Sequence, residues 1–120
     1  EKGVRTSIAT DVGCGTSFSM LRTLDEAYKI QQLGNYSLNP LASYFWSTMG
    51  NAECLGLQHQ IGTIKTGNYA DLIVLNSKST PLMRHRMEKC KTIGEELFIL
   101  QTLGDDRAID SVFIAGKKIK

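Results

Sequence analysis

A chain of 120 residues, 42% of them hydrophobic, has enough apolar content to bury a core of domain size. Its formal net charge of +2 is too small to imply a nucleic-acid partner, and the short basic runs Arg84-His85-Arg86 and Lys117-Lys118 suit a solvated face. No apolar run approaches the roughly 20 residues of a membrane span, and three widely spaced cysteines, Cys14, Cys54 and Cys90, argue against a disulfide framework or a CxxC zinc site and suit a reducing cytoplasm.

The first stretch, VRTSIATDVGCGTSFSML, reads as strand, acid, glycine-rich loop and helix start. Residues Val4 to Ala9 are mostly β-branched or small and predict a buried parallel strand. Such a strand needs neighbours on both edges, so the core of residues 1–56 is expected to be completed by strands from outside them. Asp11 follows the strand end. A carboxylate there faces the active-site side of a barrel or sheet; equally, it suits a turn residue bonding its own loop. Gly13 and Gly15 free the loop backbone, and Thr16 or Ser17 can cap the next helix.

That helix is predicted from about Phe18 to Leu33. Leu21, Leu24, Ala27 and Tyr28 form one apolar face, and Arg22, Asp25, Glu26 and Lys29 lie largely opposite. Gly34 stops it. Asn39-Pro40 opens a second helix, with Asn39 as cap. Leu41, Tyr44, Phe45, Trp46 and Met49 make it apolar on most sides, as expected between two packed layers. Gly50 should end it, and Asn51 cap a short helix through Leu55. Asp71 to Leu75 reads as a strand with Asp71 structural. Thr80-Pro81 opens a helix through about Lys89, and Thr92 to Leu103 makes another, stopped by Gly104. Asp105-Asp106-Arg107 suits a loop with a local ion pair. Val112 to Ile119 reads as a final hairpin. There is no internal repeat and no low-complexity segment.

Few residues offer chemistry. His59 and His85 lie in neither an HxH nor an HExxH pattern and read as exposed or packing histidines. No nucleophile elbow is present, the VGCG glycines lack the Lys-Ser/Thr of a phosphate loop, and the PCxxC zinc pattern of one deaminase class is absent. The residues by themselves supply one carboxylate and no complete site.

Three strings carry a resemblance. TDVGCGTSFSMLRTLDEAYKIQQL resembles the last barrel strand, loop and helix of the guanine deaminases of amidohydrolase type. GNAECLGLQHQIGTIKTGNYADLIVLN resembles a stretch shared broadly among amidohydrolases, and LFILQTLGDDRAIDSVFIAGKKI resembles the ending of the guanine deaminase group. The likeness runs over nearly all 120 residues, weakest from Met83 to Lys91, and pairs TSFSML with TLGDDR, the more specific combination.

The resemblance implies an α/β fold: the C-terminal part of a (β/α)8 barrel in residues 1–56, strands of a small β-sandwich in 57–78 and 105–120, and connecting helices in 79–104. It implies a C-terminal portion of a longer chain, inactive alone. Asp11 matches the aspartate that ends the last barrel strand, so it would be both metal ligand and catalytic proton carrier. One zinc ion per full-length subunit, otherwise held by residues outside this chain, would activate water to hydrolyse guanine to xanthine and ammonia. Gly13, Cys14 and Gly15 would shape the wall beside Asp11, with Cys14 a small filler where the group usually has glycine or alanine. A cytoplasmic homodimer, with no nucleic-acid or membrane partner, is the matching expectation. Two other readings stay open: an amidohydrolase acting on a different ring amine or chloride, and a non-enzymatic module that associates through exposed edges.

Overall fold

In the computed structural model, which describes residues 3–120, Leu21 and Leu24 bury one face of a helix, α1, Met20–Leu33. Its first turn lacks a side-chain cap. The expected caps Thr16 and Ser17 lie outside it; Ser17 Oγ instead accepts the Ser19 N–H at 3.0 Å in a local turn. The opposite face is not uniformly polar. Asp25 is only 6% exposed, contrary to expectation, because Lys29 Nζ reaches over it at 2.7 Å. Gly34 ends α1, its N–H turned back to the Gln31 carbonyl and that of Asn35 to the Gln32 carbonyl.

Asn39 Oδ1 accepts the Leu41 N–H at 2.8 Å and Pro40 occupies the first turn of α2, Pro40–Ser47. Leu41 and Phe45 remain about half exposed while Ser43 is buried, so α2 is covered on one side rather than two. The break comes at Thr48, with φ −125° and ψ −97°, and α3 runs Met49–Leu55. Gly50 therefore lies inside α3 and does not terminate α2. Its role is close approach: a Cβ there would crowd the Phe45 carbonyl oxygen at 3.1 Å and the Phe45 ring at 3.3 Å.

After an irregular stretch, β1 (Leu72–Leu75) leads to α4 (Pro81–Met87) and α5 (Ile93–Leu103). Thr80 Oγ1 caps α4 through the Met83 N–H at 3.2 Å. Thr92 and Glu95 form a reciprocal capping box on α5. A single 3-10 turn, Asp106–Ala108, delivers the chain to β2 (Ile109–Ile114), and Ala115-Gly116 folds it into β3 (Lys117–Lys118). Both turn residues have positive φ, 47° and 78°, as the tight hairpin predicted by the sequence requires.

The sheet is antiparallel, ordered β1-β2-β3, with Leu72 opposite Phe113 and Phe113 opposite Lys118. Asp71 Oδ1 accepts the Ala115 N–H at 2.7 Å, a structural role tying β1 to the hairpin turn. Leu21, Met83, Ile99, Leu100 and Ala108 form the core, with Tyr44, Leu75 and Leu97 packed against it. Tyr28 meets Phe98 edge to face at 5.1 Å.

Val4 to Ala9, expected as a parallel strand with neighbours from outside residues 1–56, pairs with no strand among the described residues. The segment is extended but carries no ladder, and Val4 is exposed. No backbone edge is offered to it among the described residues; side chains hold it instead. The accessible surface is 8416 Å². A compact folded chain of 13.3 kDa would expose about 6,500 Å². The surplus includes Phe18, Leu33, Leu55 and Ile64. No helix among the described residues is long and apolar enough to cross a membrane.

Candidate functional site

The extended segment lies along α3. The Asn51 side chain holds both main-chain groups of Ile8: Nδ2 donates to the carbonyl at 2.8 Å and Oδ1 accepts the N–H at 2.9 Å. Cys54 Sγ lies 3.4 Å from the Thr6 carbonyl oxygen, and the Arg5 guanidinium donates to the Glu53 carbonyl at 3.4 Å. Three residues after Ile8 the chain turns sharply.

Asp11 is the pivot, with φ 45°. This left-handed conformation is costly for most side chains and tolerated by aspartate. Its carbonyl accepts the N–H groups of both Cys14 and Gly15. Gly13 adopts φ 122°, and a Cβ on Gly15 would overlap the Thr10 carbonyl oxygen. Each glycine is thus required for a separate reason, conformation at one and close approach at the other. The loop residues Gly13, Cys14 and Gly15 do gather at Asp11, and the Cys14 thiol is exposed and free.

The turn is closed by the Asp11 carbonyl, not by its side chain. The carboxylate is exposed and has no hydrogen-bond or ion-pair partner among the described residues. A shallow recess of about 230 Å³ opens beside it, with Gly15, Thr16, Arg22 and Glu26 on its walls. Asp11 suits one ligand position of a divalent ion, since a carboxylate oxygen is a hard donor. It does not make a set: no group of three His, Cys, Asp or Glu comes together among the described residues. His59 is exposed away from any such group, and His85 Nδ1 lies 3.4 Å from Glu88 on the surface of α4.

Other charged groups serve the fold. The Arg107 guanidinium forks onto Asp105, with Nη2 at 2.6 Å, and holds that carboxyl below the usual range. Main-chain N–H groups of Lys91 and Thr92 do the same for Glu95. Burial pushes the Tyr44 phenol up, and its hydroxyl has no partner. Three features escaped the sequence reading. Gln101 is fully buried with neither amide atom paired. A groove of about 810 Å³ runs between α4, α5 and the loop before α2, floored by Leu38, Phe98 and Ile99 and rimmed by His85, Arg86 and Lys89. The third is the Asn51 clamp. Only the polar residue at a helix start hinted at it, and that hint points equally to a cap.

The amidohydrolase family profile matches residues 1–119. The chain is 39% identical over 119 residues to guanine deaminase from Escherichia coli (strain K12), covering 99% of this chain and 27% of that protein. To guanine deaminase from Homo sapiens it is 30% identical over 127 residues, covering 97% and 28%. Among solved structures, the E. coli guanine deaminase superposes with a TM-score of 0.95 at 38% identity, over 98% of this chain and 27% of that one. The guanine deaminase of Bradyrhizobium japonicum superposes at 0.89 with 27% identity, over 98% and 31%. The chain therefore spans little more than a quarter of the relatives it matches. With the match running through the Asp11 turn, the helices and the final hairpin, this chain belongs to the amidohydrolase family.

Proposed function

We propose that this chain is part of a guanine deaminase, which hydrolyses guanine to xanthine and ammonia, and that Asp11 is the carboxylate it brings to the metal centre. The observation that carries this reading is the match to the E. coli guanine deaminase along the whole chain, in sequence and in backbone path. Residues 1–56 would then complete a (β/α)8 barrel, with 57–78 and 105–120 forming sandwich strands. Val4 to Ala9 would gain ladder partners from regions the relatives possess and these residues do not include. A cytoplasmic homodimer goes with the same reading.

The chemistry needs a divalent ion, for which zinc is proposed; when bound, it supplies the Lewis acidity that lets water act as a nucleophile near neutral pH. The rest falls to this chain. A carboxylate oxygen of Asp11 takes the proton released as water adds to the ring carbon bearing the amino group. The same oxygen returns that proton to the departing nitrogen, which leaves as ammonia, and the ring keeps the oxygen of water. The loop of residues 13–15 fixes the direction in which that carboxylate leaves the chain.

The test is turnover of guanine by the full-length protein against a panel of other ring amines and ring chlorides, with Asp11→Asn beside the wild type. Guanine should be the preferred substrate. Asp11→Asn should lose nearly all turnover with its melting temperature preserved. Retention of more than a few per cent of activity would sink the assignment of Asp11, and preference for another ring would sink the substrate.

A further inference from the structure

We propose that Asn51 is a positioning residue for Asp11, an inference that rests on the assignment of Asp11 to the reacting centre. The observation is the two-bond clamp on Ile8, three residues upstream. One side-chain amide replaces the facing residue of an antiparallel ladder, where both N–H and C=O of one residue are exchanged. Among the described residues no main-chain group pairs with the main chain of positions 4–10. Among the described residues the clamp makes the shortest contacts to that segment; those of Cys54 and Arg5 are longer, at 3.4 Å, and ladder neighbours gained in the full-length protein would add to it without replacing it.

Asn51 is well placed to transmit position. It sits in the first turn of α3, between the buried Gly50 and Ala52. A Cβ at Gly62 would stand 2.8 Å from Ala52 Cβ, so the loop after α3 closes tightly on the same turn. The anchor is fixed from both sides, and its side chain does no capping of α3. A slip of the segment by one residue would carry Asp11 about 3.3 Å along the chain direction. Displacements of about 1 Å at a reacting group already cost about 100-fold in rate. The clamp also needs a donor and an acceptor side by side, which leucine lacks and aspartate half supplies.

The experiment uses the full-length protein with Asn51→Leu and Asn51→Asp. The readouts are kcat and KM for guanine, melting temperature, and hydrogen exchange of the Ile8 amide. Asn51→Leu should lower kcat about 10- to 100-fold, the cost typical of losing a group that orients a ligand. KM should stay within about twofold, since uniform binding is untouched, and Ile8 exchange should speed up. Asn51→Asp keeps the acceptor for the Ile8 N–H, so it should retain protection there and lose less rate. If Asn51→Leu does not fold, Asn51→Asp carries the test on the same readouts. Wild-type kcat in a folded variant, or an equal rise in KM, overturns the inference. An active Asp11→Asn overturns both the site assignment and this inference, whereas an inactive Asp11→Asn beside a fully active Asn51→Leu overturns this inference alone.

Discussion

From residue 79 to 107 the hydrogen bonds close within a few positions: Thr80 on Met83, Thr92 on Glu95, Asp105 on Arg107. In residues 3–10 every hydrogen bond among the described residues reaches more than forty positions away, to Asn51, Glu53 or Cys54. The first region is built by rules that act locally and are worth about 1 kcal/mol apiece. The second takes its path from tertiary partners. Asp11, the strained and unpartnered acid, lies at the end of the second region. A strained backbone is tolerated there because its neighbourhood, not its own preference, holds it in place.

The largest effect should come from dividing the molecule. The 120-residue chain by itself is expected to show no deaminase activity and to hold zinc poorly, since one carboxylate cannot replace three or four ligands. Its exposed surface exceeds that of a compact chain of its mass by about 2,000 Å², an interface-sized excess. It should therefore associate, or unfold without a sharp transition, in light scattering and thermal melts. A monodisperse monomer that unfolds cooperatively, or that carries stoichiometric zinc, would remove the contrast between the two regions. Next in size is the separation of activity from stability. Asp11→Asn should abolish turnover and leave the melting curve in place. Leu100→Ala, in the core of the other region, should cost about 2–5 kcal/mol by denaturant titration and leave kcat of the folded enzyme near wild type. Crossed results, with Asp11→Asn unfolding the protein or Leu100→Ala silencing a folded one, would break the division.

The sequence was legible where the rules are local. Asn39-Pro40 and Thr80-Pro81 each mark a helix start by a side chain that meets a free N–H within three residues, and Thr92 stands at the start of α5 for the same reason. Asp105 with Arg107 and the Ala115-Gly116 turn were legible for the same reason. Val4 to Ala9 is less legible, because β-branched residues state a preference for extended backbone and say nothing about which strand lies beside it; the neighbours expected for it lie outside residues 1–56. Ser17 and Thr16 misled because several hydroxyls stood before one helix and none became its cap. Gly50 read as a stop, yet it serves the approach of Phe45, a contact between helices that no local pattern encodes. Asp11 could be singled out but not decided. Turn residue and site residue predict the same letter.

Smaller effects sharpen the local side of the comparison. Thr92→Ala removes one half of the capping box and should cost about 1 kcal/mol in the full-length protein, with no change in kcat. A loss of activity without loss of stability would mean that α5 reports to the site directly.

The smallest effect is in the response to acid. Glu95 is held below its usual range by the N–H groups of Lys91 and Thr92, and Asp105 by the Arg107 guanidinium. A carboxyl lowered on folding binds its proton more weakly in the folded state. Its contribution to stability is therefore complete above the unfolded values, about 4.3 for Glu and 3.9 for Asp, and is lost as pH falls through them toward the folded values. Glu95→Gln keeps an acceptor for the capping box but removes the charge. The melting temperatures of wild type and Glu95→Gln should differ most near pH 6 and converge as the pH approaches 3. Glu95 is exposed, so the difference should also shrink at high salt. A gap that widens below pH 4 would reverse the sign and remove the charge on Glu95 from the account of why α5 starts where it does.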